Sequence, residues 1–298
     1  MAKQPRYLTG QVVAITGAAR GIGRSTAELC IREGMKVAIG DIDIETAKKT
    51  AAELGPAATA FPVNVTERES VRAFLDATEE QVGPIDVLIN NAGIMQIGPF
   101  LDEDDATAQR QIDINVKGVL FGMKEVLPRF LSRNRGHLIN IASVAGKGGF
   151  PGGVTYCGTK HFVVGATEAI RAELRDSNVE VSVVMPSIVN TELAAGTADS
   201  RFVNRVEPED VAAEIVDALK HPRFDIFVPR VVGKISAAMN VLPRGGREAI
   251  ARALKADQVL VQIDQGQRKA YELRASNSEP GLEPGDQPAQ LTQGANGS

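Results

Sequence analysis

Short runs of β-branched and other apolar residues alternate with longer segments of helical periodicity over the first 228 residues. Continuous apolar runs are typical of strands in a buried parallel sheet, whereas packed helices repeat their apolar positions about every 3.6 residues. The runs predict strands at 12–16, 36–41, 58–63, 86–90, 136–142, 179–185 and 224–228, and the periodic segments predict helices at 21–33, 44–54, 67–82, 104–131 and 155–176. Because parallel crossovers are right-handed, this order predicts an α/β fold with a doubly wound parallel sheet.

The pattern changes after residue 230. Residues 231–241 and 247–263 have helical periodicity, and the second segment carries Ile250, Leu254, Leu260 and Ile263 among charges. From about residue 275 the chain is rich in Pro, Gly, Gln and Ser, and such a segment buries too little apolar surface to offset its ordering entropy. We therefore expect one domain at 1–230, a helical extension at 231–274 and a disordered tail at 275–298.

Composition excludes several classes of function. The 298 residues carry 33 Lys and Arg against 37 Asp and Glu, a net charge of −4 that provides no basic field for general nucleic-acid binding. Cys30 and Cys157 cannot form a disulfide framework, and no Cys/His spacing resembles a zinc site, so we expect no metal. The N-terminal stretch lacks the pattern of a secretory signal, and no segment is apolar enough to span a bilayer. These features predict a cytoplasmic protein.

A glycine-rich turn, Thr16-Gly17-Ala18-Ala19-Arg20-Gly21-Ile22-Gly23, joins the first predicted strand to the first helix. A helix N-terminus offers free amides and a positive dipole end to a pyrophosphate, and glycines allow its close approach. The alternative is a tight turn without a ligand. Its place in a βαβ unit favours nucleotide binding.

Asp41 ends the second predicted strand, 24 residues after Gly17. A carboxylate at this spacing accepts hydrogen bonds from the adenosine ribose and repels a 2′-phosphate, so it favours NAD over NADP. Two features compete with this interpretation: Asp41 or Asp43 could cap the next helix, and Arg20 could attract a 2′-phosphate. NADP stays open as the less favoured cofactor.

Tyr156 and Lys160 stand four residues apart on a predicted helix and therefore share a face. An adjacent ammonium lowers the pKa of a phenol, so Tyr156 is a candidate proton donor and acceptor. An ordinary amphipathic helix face is the alternative. Ser143 favours the catalytic interpretation, because it follows the fifth strand, at the sheet edge that lines the ligand crevice.

Further motifs complete a family pattern. N-N-A-G occurs at Asn90-Asn91-Ala92-Gly93, Asn115 lies in DINVKG, and Y-x-x-x-K runs from Tyr156 to Lys160. With the T-G-x-x-x-G-x-G turn and Ser143, the chain from about residue 10 to 228 resembles the classical short-chain dehydrogenase/reductase family.

The resemblance implies a single Rossmann-like domain and a catalytic tetrad of Asn115, Ser143, Tyr156 and Lys160. Ser143 would hydrogen-bond the substrate oxygen and Tyr156 would exchange its proton. Lys160 would hold the nicotinamide ribose and lower the pKa of Tyr156, while Asn115 would position a water in a proton relay. The implied cofactor-binding residues are Gly17, Arg20, Gly21, Ile22, Gly23, Asp41, Ile42, Asn64, Val65, Asn91, Ala92, Gly93, Tyr156, Lys160, Val189 and Thr191.

Two positions depart from the family pattern. Asn64 replaces the acidic residue that binds the adenine amino group, and its amide oxygen is expected to accept the same hydrogen bond. Pro186-Ser187 replaces Pro-Gly after the sixth strand, which narrows the backbone conformations available to the loop over the nicotinamide. Thr191 is still placed to bind the carboxamide.

The loops at 94–100, 144–155 and 188–206 should select the substrate, with Ser143 and Tyr156 binding its oxygen. Their apolar side chains are Met95, Ile97, Val144, Phe150, Ile188, Leu193 and Phe202. Such a pocket suits a lipophilic secondary alcohol or ketone, although core packing is an equal explanation for most of these side chains.

The leading hypothesis is thus an NAD-dependent alcohol dehydrogenase or carbonyl reductase. A non-catalytic NAD-binding regulatory protein and a dehydratase or epimerase of the same fold are the alternatives. The resemblance implies a homotetramer or homodimer. The extension could cover the substrate loops, enlarge a subunit interface or rest on a membrane surface.

Overall fold

Seven strands form one parallel sheet in the computed structural model, which describes residues 5–197, 205–253, 260–261 and 264–276. The strands are β1 (Val12–Thr16), β2 (Lys36–Asp41), β3 (Ala58–Pro62), β4 (Ile85–Asn90), β5 (Gly136–Ile141), β6 (Val179–Pro186) and β7 (Asp225–Val228). Their order is β3-β2-β1-β4-β5-β6-β7, and every neighbouring pair is parallel. The predicted doubly wound sheet is confirmed, with each strand within two residues of its predicted bounds.

Helices cover both faces of the sheet. They are α1 (Gly21–Arg32), α2 (Ile44–Leu54), α3 (Arg68–Gln81), α4 (Asp105–Ile112), α5 (Gly118–Ser132), α6 (Val154–Glu173), α7 (Pro208–Lys220), α8 (Arg230–Asn240), α9 (Arg244–Ala253) and α10 (Gln265–Ser276). Alternate side chains of β1 point to opposite faces of the sheet. Val13 and Ile15 pack with the helical layer of α1, α2 and α7, and Ala14 packs with the layer of α3, α5 and α6. The strands therefore read as continuous apolar runs, because both of their faces are buried.

One predicted helix is wrong in detail. The segment 104–131 is divided into α4 and α5 by a π-helical turn, Asp113–Lys117, that contains the buried Asn115. A π turn inserts one residue into the helical repeat, so apolar periodicity alone does not reveal it. The turn lies beside the candidate site.

The extension also differs from the prediction. Helices α8 and α9 occupy the expected region, but α10 was not predicted, and it includes Ala275 and Ser276 of the predicted tail. Residues 277–298, parts of the predicted 247–263 helix and the pocket candidate Phe202 lie outside the described residues. The division at residue 230 stays a prediction.

Candidate active site

The glycine turn after β1 forms a cradle that only glycine allows. Gly17 has a φ of +66°, and a Cβ there would lie 2.8 Å from the Cα of Ala92. A Cβ on Gly23 would lie 2.5 Å from the Gly17 carbonyl oxygen. Arg20, the N-cap residue of α1, makes no side-chain capping bond, so its side chain leaves the helix N-terminus open to an anion.

Asn91 fixes this cradle to the end of β4. Its amide nitrogen donates to the carbonyl oxygens of Thr16 (3.0 Å) and Gly17 (2.8 Å). The Thr16 hydroxyl in turn accepts from the backbone amides of Asn91 and Ala92, at 3.1 and 3.2 Å. The loops after β1 and β4 are thereby held as one unit, which brings the predicted residues Asn91, Ala92 and Gly93 beside the turn.

Asp41 lies at the mouth of this cradle and does not cap a helix. Its carboxylate accepts from the amides of Ala19 (3.0 Å) and Asp43 (3.1 Å), while Asp43 is the N-cap of α2. Burial raises the pKa of Asp41 above its usual range, partly opposed by those two amides and by the charge of Arg20. Arg20 itself pairs with Asp43 at 2.5 Å, so part of its charge is already compensated.

Asn64 is less available than expected. Its side-chain oxygen accepts from both the amide (3.1 Å) and the hydroxyl (2.8 Å) of Thr66. These bonds use both lone pairs, so an adenine contact would have to displace one of them. A cavity of about 380 Å³ adjoins this point, and its lining includes Ile42 and Asn64 beside apolar residues of β3 and α3.

The loop after β6 begins without a glycine at position 187. Ser187 has an ordinary negative φ, and its amide donates to Val228 O at 2.8 Å. Its buried hydroxyl oxygen has no hydrogen-bond partner within the described ranges. Thr191 of the same loop lies opposite the glycine turn. Its methyl carbon is 3.5 Å from the position that a Cβ on Gly21 would take. Val189, between these two residues, is buried in the core.

The predicted tetrad is brought together on α6, β5 and the π turn. The Asn115 amide binds both backbone groups of Ile94, at 2.8 and 2.9 Å, and donates to the hydroxyl of Thr159 at 3.1 Å. Ser143 begins a short 3-10 turn, and its hydroxyl, which donates to Pro186 O at 3.5 Å, lies near enough to the Tyr156 phenol to lower the pKa of that phenol. Asn115 therefore fixes the loop after β4, and Ser143 faces the candidate acid.

Tyr156 and Lys160 are both buried, and burial governs their protonation. Lys160 Nζ lies 5.7 Å from the Tyr156 ring centroid and donates to Ile141 O at 3.1 Å. Burial lowers the pKa of Lys160 to about 8 and raises the pKa of Tyr156 to about 12, the latter opposed by Ser143 and the charge of Arg268. The expected net lowering of the Tyr156 pKa by Lys160 is thus wrong for this structure, because desolvation of the phenol outweighs its neighbours.

An apolar cluster surrounds Tyr156 on the substrate side. Its buried members are Met95, Ala145, Tyr156, Cys157 and Leu260, with Ile97, Phe150, Ile188 and Leu193 packed against them. Most of the predicted pocket residues therefore meet at one place.

Three residues of this site were missed from the sequence. Leu260, Arg268 and Tyr271 reach it from the C-terminal extension, and all three are buried. Tyr271 accepts from the amide of Met95 at 2.8 Å, and Arg268 donates to the carbonyl of the same residue. The sequence signals were the place of Leu260 in the apolar repeat of 247–263, and an arginine and a tyrosine three residues apart in a largely polar segment.

Other candidate chemistry is absent from the part of the chain that the structure describes. No cluster of His, Cys, Asp and Glu there could hold a metal ion. No helix among those residues is long and apolar enough to cross a bilayer. His137 is buried against Ser182 at 2.8 Å, as expected of a structural histidine.

Comparison with known proteins agrees with this arrangement. The family model described as short chain dehydrogenase matches residues 11–201. A sorbitol dehydrogenase from Cereibacter sphaeroides is 38% identical over 198 residues, which cover 66% of this chain and 77% of the relative. A galactitol 2-dehydrogenase from Agrobacterium fabrum is 39% identical over 186 residues, covering 62% and 73% of the two chains.

Solved structures agree as well. A short chain dehydrogenase/reductase from Burkholderia phymatum in complex with NAD superposes with a TM-score of 0.72 and 27% identity. The match covers 78% of this chain and 93% of that structure. The chain is therefore an oxidoreductase of the short-chain dehydrogenase/reductase family.

Proposed function

We propose that this protein transfers a hydride between NAD(H) and a lipophilic secondary alcohol or ketone, with Tyr156 as general acid and base. The observation that carries the proposal is the Tyr156 phenol itself. It lies near the hydroxyl of Ser143 and the ammonium of Lys160, and it packs in an apolar cluster. A reacting alcohol oxygen between Ser143 and Tyr156 would meet a hydrogen-bond donor and a proton-transfer group in surroundings that exclude water.

The residues present fit a dinucleotide. The open N-terminus of α1 and the glycine cradle suit a pyrophosphate, and the buried Ser187 hydroxyl leaves a polar group for the nicotinamide end. Asp41 would bind the adenosine ribose, Lys160 the nicotinamide ribose and Thr191 the carboxamide. NAD supplies the hydride acceptor, and NADH the hydride donor. NAD is proposed over NADP because the carboxylate of Asp41 would repel a 2′-phosphate and Arg20 is already paired with Asp43.

The direction of proton transfer sets a pH dependence. With its pKa raised by burial, Tyr156 is protonated at neutral pH and can donate its proton to a ketone oxygen. Alcohol oxidation instead requires the phenolate as the proton acceptor. We therefore expect alcohol oxidation to accelerate as the pH rises above neutrality, because the phenolate fraction grows, while ketone reduction stays constant until the pH approaches the raised pKa of Tyr156.

The substrate class rests on the apolar side chains beside Tyr156. A polyol would place several hydroxyls against Met95, Phe150 and Leu193, where each unpaired hydroxyl loses its hydrogen bonds to water. The two named dehydrogenase relatives favour a polyol as the second candidate. A cytoplasmic location and a homo-oligomeric state remain predictions.

A substrate panel tests the proposal. NADH formation would be measured with NAD or NADP and equal concentrations of cyclohexanol, 2-octanol, sorbitol and galactitol. The expected result is NAD-dependent turnover, with kcat/KM highest for the lipophilic alcohols. Preference for the polyols would replace the substrate class. Product formation without net NADH would favour a dehydratase or epimerase, and binding of NADH without any turnover would favour a regulatory protein.

A further inference from the structure

The C-terminal segment lies across the substrate side of the candidate site. Leu260 packs in the apolar cluster with Tyr156 and Cys157. Its carbonyl oxygen comes within 2.3 Å of where a Cβ on Gly152 would stand, and Gly152 also has a φ of +82°. This close approach requires glycine at 152, so the chain is shaped locally to receive the segment.

A second contact of the same kind follows four residues later. The amide of Asp264 donates to Gly196 O at 2.9 Å. A Cβ on Gly196, which has a φ of +71°, would lie 2.4 Å from Asp264 O. Helix α10 begins directly after this contact and is thereby placed against the loop that follows β6.

Arg268 of α10 bridges the two loops that border the substrate side. Its side chain is only 3% exposed. Arginine is almost never buried without partners, so this side chain needs several of them. The guanidinium donates to Leu193 O and Ala195 O, both at 3.1 Å, and to Met95 O. The carboxylate of Glu272 lies 2.5 Å from Arg268 Nε and compensates the charge of the guanidinium. Arg268 therefore ties the loop after β4 to the loop after β6.

Tyr271 strengthens the same bridge. Its hydroxyl accepts from the Met95 amide at 2.8 Å, so α10 side chains bind both backbone polar groups of Met95. The Arg268 guanidinium also lies 5.0 Å from the Tyr271 ring centroid. Met95 in turn packs in the cluster around Tyr156, which links the bridge to the reacting group.

Arg268 also acts on Tyr156 electrostatically. The charged and titratable groups that face the phenol are Lys160 and Cys157 on α6 and Arg268 and Tyr271 on α10. The positive charge of Arg268 favours the phenolate and lowers the pKa of Tyr156 against the larger effect of burial. A neutral side chain at 268 would remove this contribution.

We propose that Arg268 is a positioning residue for the reaction: it sets the width of the substrate side by joining Met95 to Leu193 and Ala195, and it holds a positive charge beside Tyr156. The inference rests on the proposed function, because it assigns Arg268 to the alcohol-binding half of the same site. Residues 260–261 and 264–276 then form a wall of the substrate pocket.

The test uses two substitutions with different consequences. Arg268→Met removes the charge and the bridge, whereas Arg268→Lys keeps the charge but loses the fork that reaches several carbonyls. Arg244→Met is the matched control, since Arg244 forms the same i,i+4 pair with Glu248 on α9 and is 87% exposed. Each variant would be assayed with the best alcohol of the wild-type protein across pH.

We expect both Arg268 variants to raise the KM for the alcohol about tenfold, as a lost charge-assisted contact and a misplaced loop would. The KM for NAD should change much less. Only Arg268→Met should also move the rise of alcohol oxidation to higher pH, a change that a purely structural role would not produce. Arg244→Met should match the wild type in all three readouts.

If both Arg268 variants keep the wild-type KM for the alcohol and the wild-type pH dependence, the inference is overturned. If Arg268→Met fails to fold, the KM of Arg268→Lys for the alcohol is the deciding result. Amide hydrogen exchange separates this outcome from failure of the proposed function. Even if the wild type oxidises no alcohol, Arg268→Met or Arg268→Lys should accelerate exchange at residues 94–97 and 192–197. Unchanged exchange there would overturn the bridge itself.

Discussion

Substitution of Gly17 by alanine tests the shape of the cofactor cradle. The new Cβ would stand 2.8 Å from Ala92 Cα, about 0.7 Å inside the shortest favourable carbon contact of about 3.5 Å. The loop after β4 cannot yield freely, because Ala92 N binds Thr16 Oγ1 and Asn91 binds Gly17 O. A left-handed alanine costs about 1–2 kcal/mol, and loss of these two hydrogen bonds adds about 2 kcal/mol. Gly17→Ala should therefore lower the free energy of unfolding by about 3–4 kcal/mol.

Gly10→Ala is the matched control for this prediction. Gly10 has a similar φ of +81°, but a Cβ there would meet no atom within 4 Å. It should lose only the backbone contribution of about 1–2 kcal/mol in urea unfolding. NADH titration should show about tenfold weaker binding for Gly17→Ala, equivalent to about 1.4 kcal/mol, and unchanged binding for Gly10→Ala. Equal NADH affinity in the two variants would refute the cradle.

Asp41 and His137 are titratable groups that two further variants test. Asp41→Asn keeps the shape of the side chain and removes its charge, so the ratio of kcat/KM with NAD to kcat/KM with NADP should fall about tenfold. The control is Glu45→Gln, which removes an exposed carboxylate on α2 and should leave this ratio unchanged. A constant ratio would show that Asp41 does not select the cofactor. His137 is buried with its pKa lowered to about 3, so its neutral form stabilises the fold and that stability is lost as the pH falls from about 6.5 toward 3. In urea unfolding, His137→Gln should remove about 1.4 kcal/mol per pH unit from the slope over this range, and a wild-type slope in the variant would contradict this assignment.

Most of the fold was predictable because the inner strands of the sheet are buried on both faces and therefore form continuous apolar runs. The helices between strands were predicted from their apolar periodicity, except α7, which was missed. The π turn at Asn115 was not predictable, since one inserted residue hardly alters the apolar repeat. Helix α10 was not predictable either, because its position depends on Arg268 and Tyr271, which are unremarkable in a polar segment.

Some features of the candidate site were likewise predictable from the sequence, and others were not. Motif spacing correctly placed Ser143, Tyr156 and Lys160 together, because parallel strand ends and one helix face determine that proximity. Spacing did not reveal how deeply the phenol is buried, so the direction of its pKa shift was predicted wrongly. It also did not reveal that the Asn64 oxygen already binds Thr66, because short loops choose their own hydrogen bonds.

In the proposed reaction, the Tyr156 phenol gives its proton to the ketone or takes one from the alcohol. The most direct measurement compares kcat for oxidation of the best alcohol by the wild type and Tyr156→Phe, with NADH affinity titrated in parallel. We expect the variant to bind NADH normally and to lose about 100- to 10,000-fold in kcat, the usual contribution of a general acid or base. A Tyr156→Phe variant that binds NADH and retains the wild-type rate would exclude Tyr156 as the acid and base.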